Sequence, residues 1–214
     1  MRSRSKLPVE ELTPYLFRLP EAGQLLDVAA LFGNDHPVEL EVGFGKGAFL
    51  VETAPQHPEI NYLGIEIDKG LQLYVANRLA KRKLLHVKVA HGDAGRLMAQ
   101  HLGDGVLDAL HIYFPDPWWK KKHRKRRVFN EAFAVQAARL VKPGGLFHIA
   151  TDVAEYFQVM MTLMAQRPEF LPLHVGREER AEDVSQPATN FEKKARVEGR
   201  PIWRARFQRA TVSS

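Results

Sequence analysis

The 214 residues predict an α/β fold, a doubly wound and mostly parallel sheet of seven strands with helices on both faces. Three observations carry that prediction. From residue 38 onward, short runs of branched apolar residues alternate with longer segments of helical periodicity, as βα units do. The first run opens into Gly43-Phe-Gly-Lys-Gly47, a glycine-rich turn between a strand and a helix. Near the end, Trp203, Ala205 and Phe207 alternate with Arg204, Arg206 and Gln208, the pattern of a half-buried strand.

Taken in order, the strands of five βα units are expected at 38–42, 61–67, 85–90, 109–114 and 146–151. Helices are expected at 48–54, 69–82, 94–101 and 130–141, with Pro143-Gly-Gly145 stopping the last of them. A fifth helix follows at 154–165, and Val159-Met-Met-Thr-Leu-Met164 reads as its core face rather than a methionine ligand site. Extended character returns at 170–175 and 202–210. Between them, 176–200 is a polar connection without strong periodicity, either a closing loop or a plain surface loop. Residues 1–37 read as an N-terminal extension, partly flexible, with a short helix near 24–31. Residues 38–214 read as a single domain.

Composition narrows the classes. An apolar content of 45% suffices for one core. The chain has no apolar run of 18 residues, and its first residues lack the apolar stretch of a secretory signal, so a soluble, cytoplasmic protein without membrane contact is expected. Having no cysteine excludes disulfides, thiolate metal sites and a cysteine nucleophile. Nine scattered histidines show no metal-type spacing, and no metal is expected. Seven of the eight residues in Lys120-Lys-Lys-His-Arg-Lys-Arg-Arg127 are Lys or Arg. The whole chain has 31 basic against 25 acidic residues, so this octapeptide holds the entire basic excess. Such a run is often a solvated helix face. Here it follows a strand end and the aromatic Phe114-Pro-Asp-Pro-Trp-Trp119, which favours a polyanion held beside a reaction centre.

The glycine turn alone is a weak signal. Gly43, Gly45 and Ala48 also fit a permissive dinucleotide pattern, whereas a P-loop lacks its Ser or Thr after the Lys. Glu41 favours another ligand: two residues before the first glycine, its carboxylate repels a diphosphate and welcomes an ammonium group. S-adenosylmethionine carries an ammonium and a sulfonium and no phosphate. Glu66, at the end of the second strand, is placed to accept from ribose hydroxyls. Asp93 is placed either to receive an adenine amino group or to cap the helix that follows it. The Phe114-Pro-Asp-Pro-Trp118 segment reaches the same sheet edge. Its two prolines stiffen a turn in which Asp116 can anchor an acceptor base and Trp118 or Trp119 can stack on one. An ordinary tight turn is the rival reading. Asp152 has a rival role as a helix N-cap.

These motifs, with Gly64-Ile-Glu-Ile67, Thr151-Asp152 and Thr189-Asn-Phe-Glu192, resemble the bacterial tRNA (guanine-N7-)-methyltransferases, a branch of the Rossmann-like class I S-adenosylmethionine-dependent methyltransferases. The resemblance covers nearly all of the chain after about residue 38. It implies S-adenosylmethionine as cofactor and tRNA as partner, with a monomer or homodimer acting on a variable-loop guanine. It implies that Glu41, Gly43, Gly45, Glu66, Asp93 and Asp116 bind the cofactor, Asp116 being also catalytic. Lys120, Asp152, Thr189, Asn190, Phe191 and Glu192 would contact the substrate, and Lys122, His123, Arg124, Lys125, Arg126 and Arg127 the RNA. Asn190 stands where relatives often have a basic residue, and Trp119 where they often have His.

Overall fold

The computed structural model describes residues 6–178 and 190–211. In chain order its elements are α1 (Val9–Leu12), α2 (Val28–Phe32), β1 (Val38–Val42), α3 (Ala48–Thr53), β2 (Asn61–Glu66), α4 (Lys69–Arg82), β3 (Val87–His91), α5 (Ala94–Arg96), β4 (Leu107–Tyr113), α6 (Glu131–Leu140), β5 (Val141–Thr151), α7 (Ala154–Met164), β6 (Phe170–Arg177), α8 (Asn190–Val197) and β7 (Trp203–Arg209). The strands form one seven-stranded sheet in the order β3-β2-β1-β4-β5-β7-β6. Strands β1 to β5 pair in parallel, and β7 lies antiparallel between β5 and β6. The chain order reverses between β1 and β4. At such a switch point the loops leave in opposite directions and open a crevice at the carboxyl ends of the strands.

Burial on both sides explains the apolar strands. One face packs Leu40, Val42, Leu63, Ile65, Leu110, Ile112 and Phe147 against residues of α6 and α7. The other packs Tyr62, Val87 and Val89 with residues of α1, α3 and α4. Helix α4 starts where Asp68 accepts from the Gly70 and Leu71 amides, and it ends at Lys83 with φ 56. Asn130 caps α6 in the same way, its side chain accepting from the Phe133 amide at 3.0 Å.

Four segments differ from the sequence reading. Strand β5 begins at Val141, so Pro143-Gly-Gly145 lies within it. The stretch bulges past β4: Val141 pairs with Leu107, the register then shifts, and Lys142 Nζ meets Asp108 Oδ2 at 2.7 Å. A Cβ at Gly145 would lie 2.8 Å from the Asp108 carbonyl oxygen, so only glycine fits there. The helix expected at 94–101 is one turn, α5, followed by a wide π-type turn over Leu97–His101, which buries His101 with its Nδ1 2.9 Å from the Gln24 carbonyl oxygen. The 176–200 connection contains α8. Residues 6–37 pack onto the domain, with Leu12, Tyr15 and Phe17 buried and the Phe17 amide donating to the Val89 carbonyl.

Candidate active site

A cavity of about 570 Å³ opens at the carboxyl ends of β1 to β4, within the usual size of a small-ligand site. Its first wall is the 43–47 turn. Gly43, Gly45 and Gly47 have φ of 71°, 53° and 64°, a region that costs a residue with a Cβ energy but glycine none. A Cβ at Gly43 or Gly45 would meet nothing within 4 Å, whereas one at Gly47 would lie 2.7 Å from the Val75 side chain. The first two glycines therefore leave the backbone bare for a ligand, and the third lets the turn close on α4. Glu66 braces the same turn, its Oε2 accepting from the Gly45 amide at 2.9 Å and its Oε1 from the Asp68 amide at 3.2 Å. Asp93 lines the cavity and also caps α5, its Oδ1 accepting from the Arg96 amide at 2.8 Å. The capping role left open by the sequence is thus realised, on a residue that still faces the cavity.

Glu41 does not line this cavity. Its side chain is 3% exposed beneath the turn, and its Oε2 has no hydrogen-bond partner. Burial first, then repulsion from Glu66, pushes its carboxyl from 4.5 up to about 8, against a hydrogen bond to the Leu50 backbone that pulls the other way. A buried acceptor without a donor, next to a second carboxylate, suits a cationic ligand. A diphosphate fits badly, because the Glu66 carboxylate borders the turn and already takes the Gly45 amide.

The opposite wall comes from the end of β4. Phe114 and Trp118 have φ of 50° and 43°, so left-handed backbone without glycine flanks Pro115-Asp-Pro117 at both ends. The Phe114 amide donates to the Ala150 carbonyl at 2.7 Å and fixes the entry of the turn to β5. Asp116 is exposed and lines the cavity. The basic run then forms a 3-10 helix over Lys121–Arg126 and folds back over this turn. The Arg126 guanidinium lies over the Trp118 ring at 5.2 Å, and His123 meets that ring edge to face at 5.9 Å. Lys125, Arg126 and Arg127 all line the cavity. Lys122 and Lys120 are exposed, as is Trp119 at 62%. Arg127 is turned inward instead: its Nε donates to the Pro117 carbonyl at 2.7 Å, and its guanidinium lies 4.6 Å over the Tyr156 ring.

The remaining candidates lie around α8. Asp152 does not cap α7; Val153 holds that position, and its amide bonds to Thr151 Oγ1 at 3.2 Å. The Asp152 carboxylate is paired with the Arg200 guanidinium. Glu192 is 2% exposed and bridges Arg196 at 2.6 Å and Arg204 at 2.7 Å, with Glu178 meeting both guanidiniums at 3.0 and 3.3 Å. Its carboxylate therefore docks α8 onto β7 and does not face the cavity. Asn190 and Phe191 open α8, and Thr189 lies outside the described residues. Sequence reasoning misses Arg127, Tyr156, Arg196, Arg200 and Arg204 as partners of site residues. No motif signal distinguishes them: Arg196 meets Glu192 one helical turn away, and the others act through contacts with residues distant in the chain. Among the described residues, no group of His, Cys, Asp and Glu side chains could hold a metal ion, and no helix is long and apolar enough to cross a membrane.

Comparison with known proteins shows the family and the fold. The family described as "Putative methyltransferase" matches residues 35–205. A tRNA (guanine-N(7)-)-methyltransferase of Rhodopirellula baltica is 38% identical over 96% of this chain and 78% of its own length. One of Vibrio cholerae is 38% identical over 87% of this chain and 78% of its own. Among solved structures, the antibiotic-resistance methyltransferase Kmr superposes with a TM-score of 0.60 at 16% identity, covering 87% of this chain and 93% of that one. Geranyl diphosphate C-methyltransferase from Streptomyces coelicolor, solved with S-adenosyl-L-homocysteine, gives 0.55 at 13% identity, covering 84% and 72%. At such identities the two structures speak for the fold alone.

Proposed function

The chain belongs to the tRNA (guanine-N(7)-)-methyltransferase family, and from that premise we propose that it methylates nitrogen-7 of a guanine in the variable loop of tRNA, with S-adenosylmethionine as donor, in the cytoplasm. One observation carries the reading: a single cavity has the glycine turn, Glu66 and Asp93 on one wall and Asp116 with Lys125, Arg126 and Arg127 on the other. Donor and polyanion are thereby brought to the same opening.

Bound S-adenosylmethionine supplies a methyl group on a positively charged sulfur. Glu66 offers carboxylate oxygens to ribose hydroxyls and Asp93 to an adenine amino group. Glu41 lies beneath the turn and off the cavity wall; burial holds its carboxyl protonated at neutral pH, and an ammonium group drawn to its unpartnered Oε2 would favour the ionised form. Nitrogen-7 has an in-plane lone pair and no proton, so the chain needs no general base. It needs alignment, an advantage worth up to roughly 7 to 11 kcal/mol, and an anion near the purine as positive charge develops there. Asp116 supplies that anion on a stiffened turn. Exposed Lys120, Lys122, Lys125 and Arg126 grip flanking phosphates, and Trp119 is free to stack on an unpaired base.

The test incubates purified protein with labelled S-adenosylmethionine and unmodified tRNA, then digests the RNA to nucleosides. Label in 7-methylguanosine is expected; label in another nucleoside, or none, overturns the proposal.

A further inference from the structure

Resting on the function proposed above, we infer that Arg127 is a positioning residue that holds the Asp116 turn in its reactive shape, rather than a ligand of RNA phosphate. The turn needs such a tether at its exit. Pro115 and Pro117 carry no amide hydrogen, so the usual backbone donors that close a turn are missing at two of its three central positions. Left-handed backbone at Phe114 and Trp118 must be held by the surroundings. The entry is fixed by the Phe114 amide on the Ala150 carbonyl, and the exit by the Pro117 carbonyl accepting from Arg127 Nε at 2.7 Å.

Arg127 is itself held. Its guanidinium lies over Tyr156, 4.6 Å from the ring centre, and Tyr156 is a fully buried residue of α7. The tether thus runs from the turn carrying Asp116, through Arg127, to the core. Arg127 is also only partly exposed, unlike Lys122, Lys125 and Arg126 in the same run. A side chain spent on a carbonyl and a buried ring has little freedom to follow a phosphate.

Two substitutions separate the roles. Arg127→Gln keeps an N–H donor the same number of bonds from the main chain as Nε and discards the charge. Arg127→Lys keeps the charge and puts a methylene where Nε stood. Turnover at saturating tRNA, and the salt dependence of tRNA binding, are measured for both beside the wild type. Positioning orders turnover as wild type, then Gln, then Lys, with Lys down roughly tenfold or more and the salt slope unchanged in both variants. A phosphate ligand gives the reverse: Lys keeps turnover and slope, while Gln loses about 0.7 of the slope, and that result overturns the inference. Equal turnover in all three proteins also overturns it. Should thermal melting show Arg127→Lys unfolded, Arg127→Gln decides alone: an unchanged slope with turnover within roughly threefold supports the tether, and a shallower slope refutes it. A wild-type protein that makes no 7-methylguanosine instead overturns the parent function, and this inference with it.

Discussion

The wall formed by the 43–47 turn is built from backbone that glycine holds freely, whereas the wall from Phe114 to Trp118 holds left-handed backbone with large side chains that resist it. Each such residue costs on the order of 1 to 3 kcal/mol. The glycine wall is braced by Glu66, by main-chain bonds and by the Arg78 guanidinium donating to the Lys46 carbonyl. The strained wall is kept by contacts from distant parts of the chain: Ala150 in β5, Tyr156 in α7, and the basic run itself. Both walls are tied to distant parts of the chain, but only the second needs those ties to hold backbone that its side chains resist.

The comparison breaks most decisively at Asp116. Asp116→Ala should lower methyl transfer at least roughly a hundredfold, the scale of losing one preorganised electrostatic partner. Because the side chain is exposed, the melting temperature should barely move. Near wild-type turnover would deprive the strained wall of its chemical role. Next in size is the basic run. Replacing Lys122, Arg124, Lys125 and Arg126 together by Ala, with Arg127 retained, should weaken tRNA binding and flatten its salt dependence by roughly 0.7 for each phosphate that is no longer neutralised. A slope that stays the same would remove the run from the interface. The glycine wall should answer more mildly. Gly45→Ala puts a methyl group into the open cavity at a φ of 53°, a conformation costing roughly 1 to 2 kcal/mol, so S-adenosylmethionine binding by calorimetry should weaken about tenfold. Unchanged affinity would mean that no ligand lies against Gly45.

How much of this is legible in the sequence follows the same division. The strand ends, the glycine turn, Glu66, Asp93 and Asp116 are read locally, because periodicity and turn chemistry act over a few residues. Helix α4 has the bounds its periodicity predicts for that reason, with Asp68 to cap it. Helix α8 is hidden. Its apolar signal is one pair, Phe191 and Ala195 four residues apart, and the charged Glu192 is among its buried residues, so apolar periodicity barely marks it. The substrate role suggested for Glu192 could not be weighed against its ion pair to Arg204, which exists only once β7 lies beside α8. The buried chain Glu39–His111–Tyr113, with both histidine nitrogens engaged at 2.8 Å, is equally invisible, as it joins β1 to β4 across the sheet.

Glu41 offers the finest test of the glycine wall, because its burial ties cofactor binding to pH. Its folded carboxyl titrates at about 8 against 4.5 in its ordinary state, so between these values the folded protein keeps a proton that the unfolded chain has released. Stability from this group is fully present below about 4.5 and declines as pH rises through 8, by at most about 1.4 kcal/mol per unit. Glu41→Gln should flatten that decline in thermal melts of the free protein. An ammonium group favours the ionised carboxylate, so wild-type affinity for S-adenosylmethionine should rise with pH toward 8, at most tenfold per unit. The Gln variant should lose this dependence. If the wild-type affinity were flat between pH 6 and 8 while the stability decline persisted, Glu41 would be a buried carboxyl that no ligand reaches, and the cation selectivity of the turn would rest on Glu66 alone.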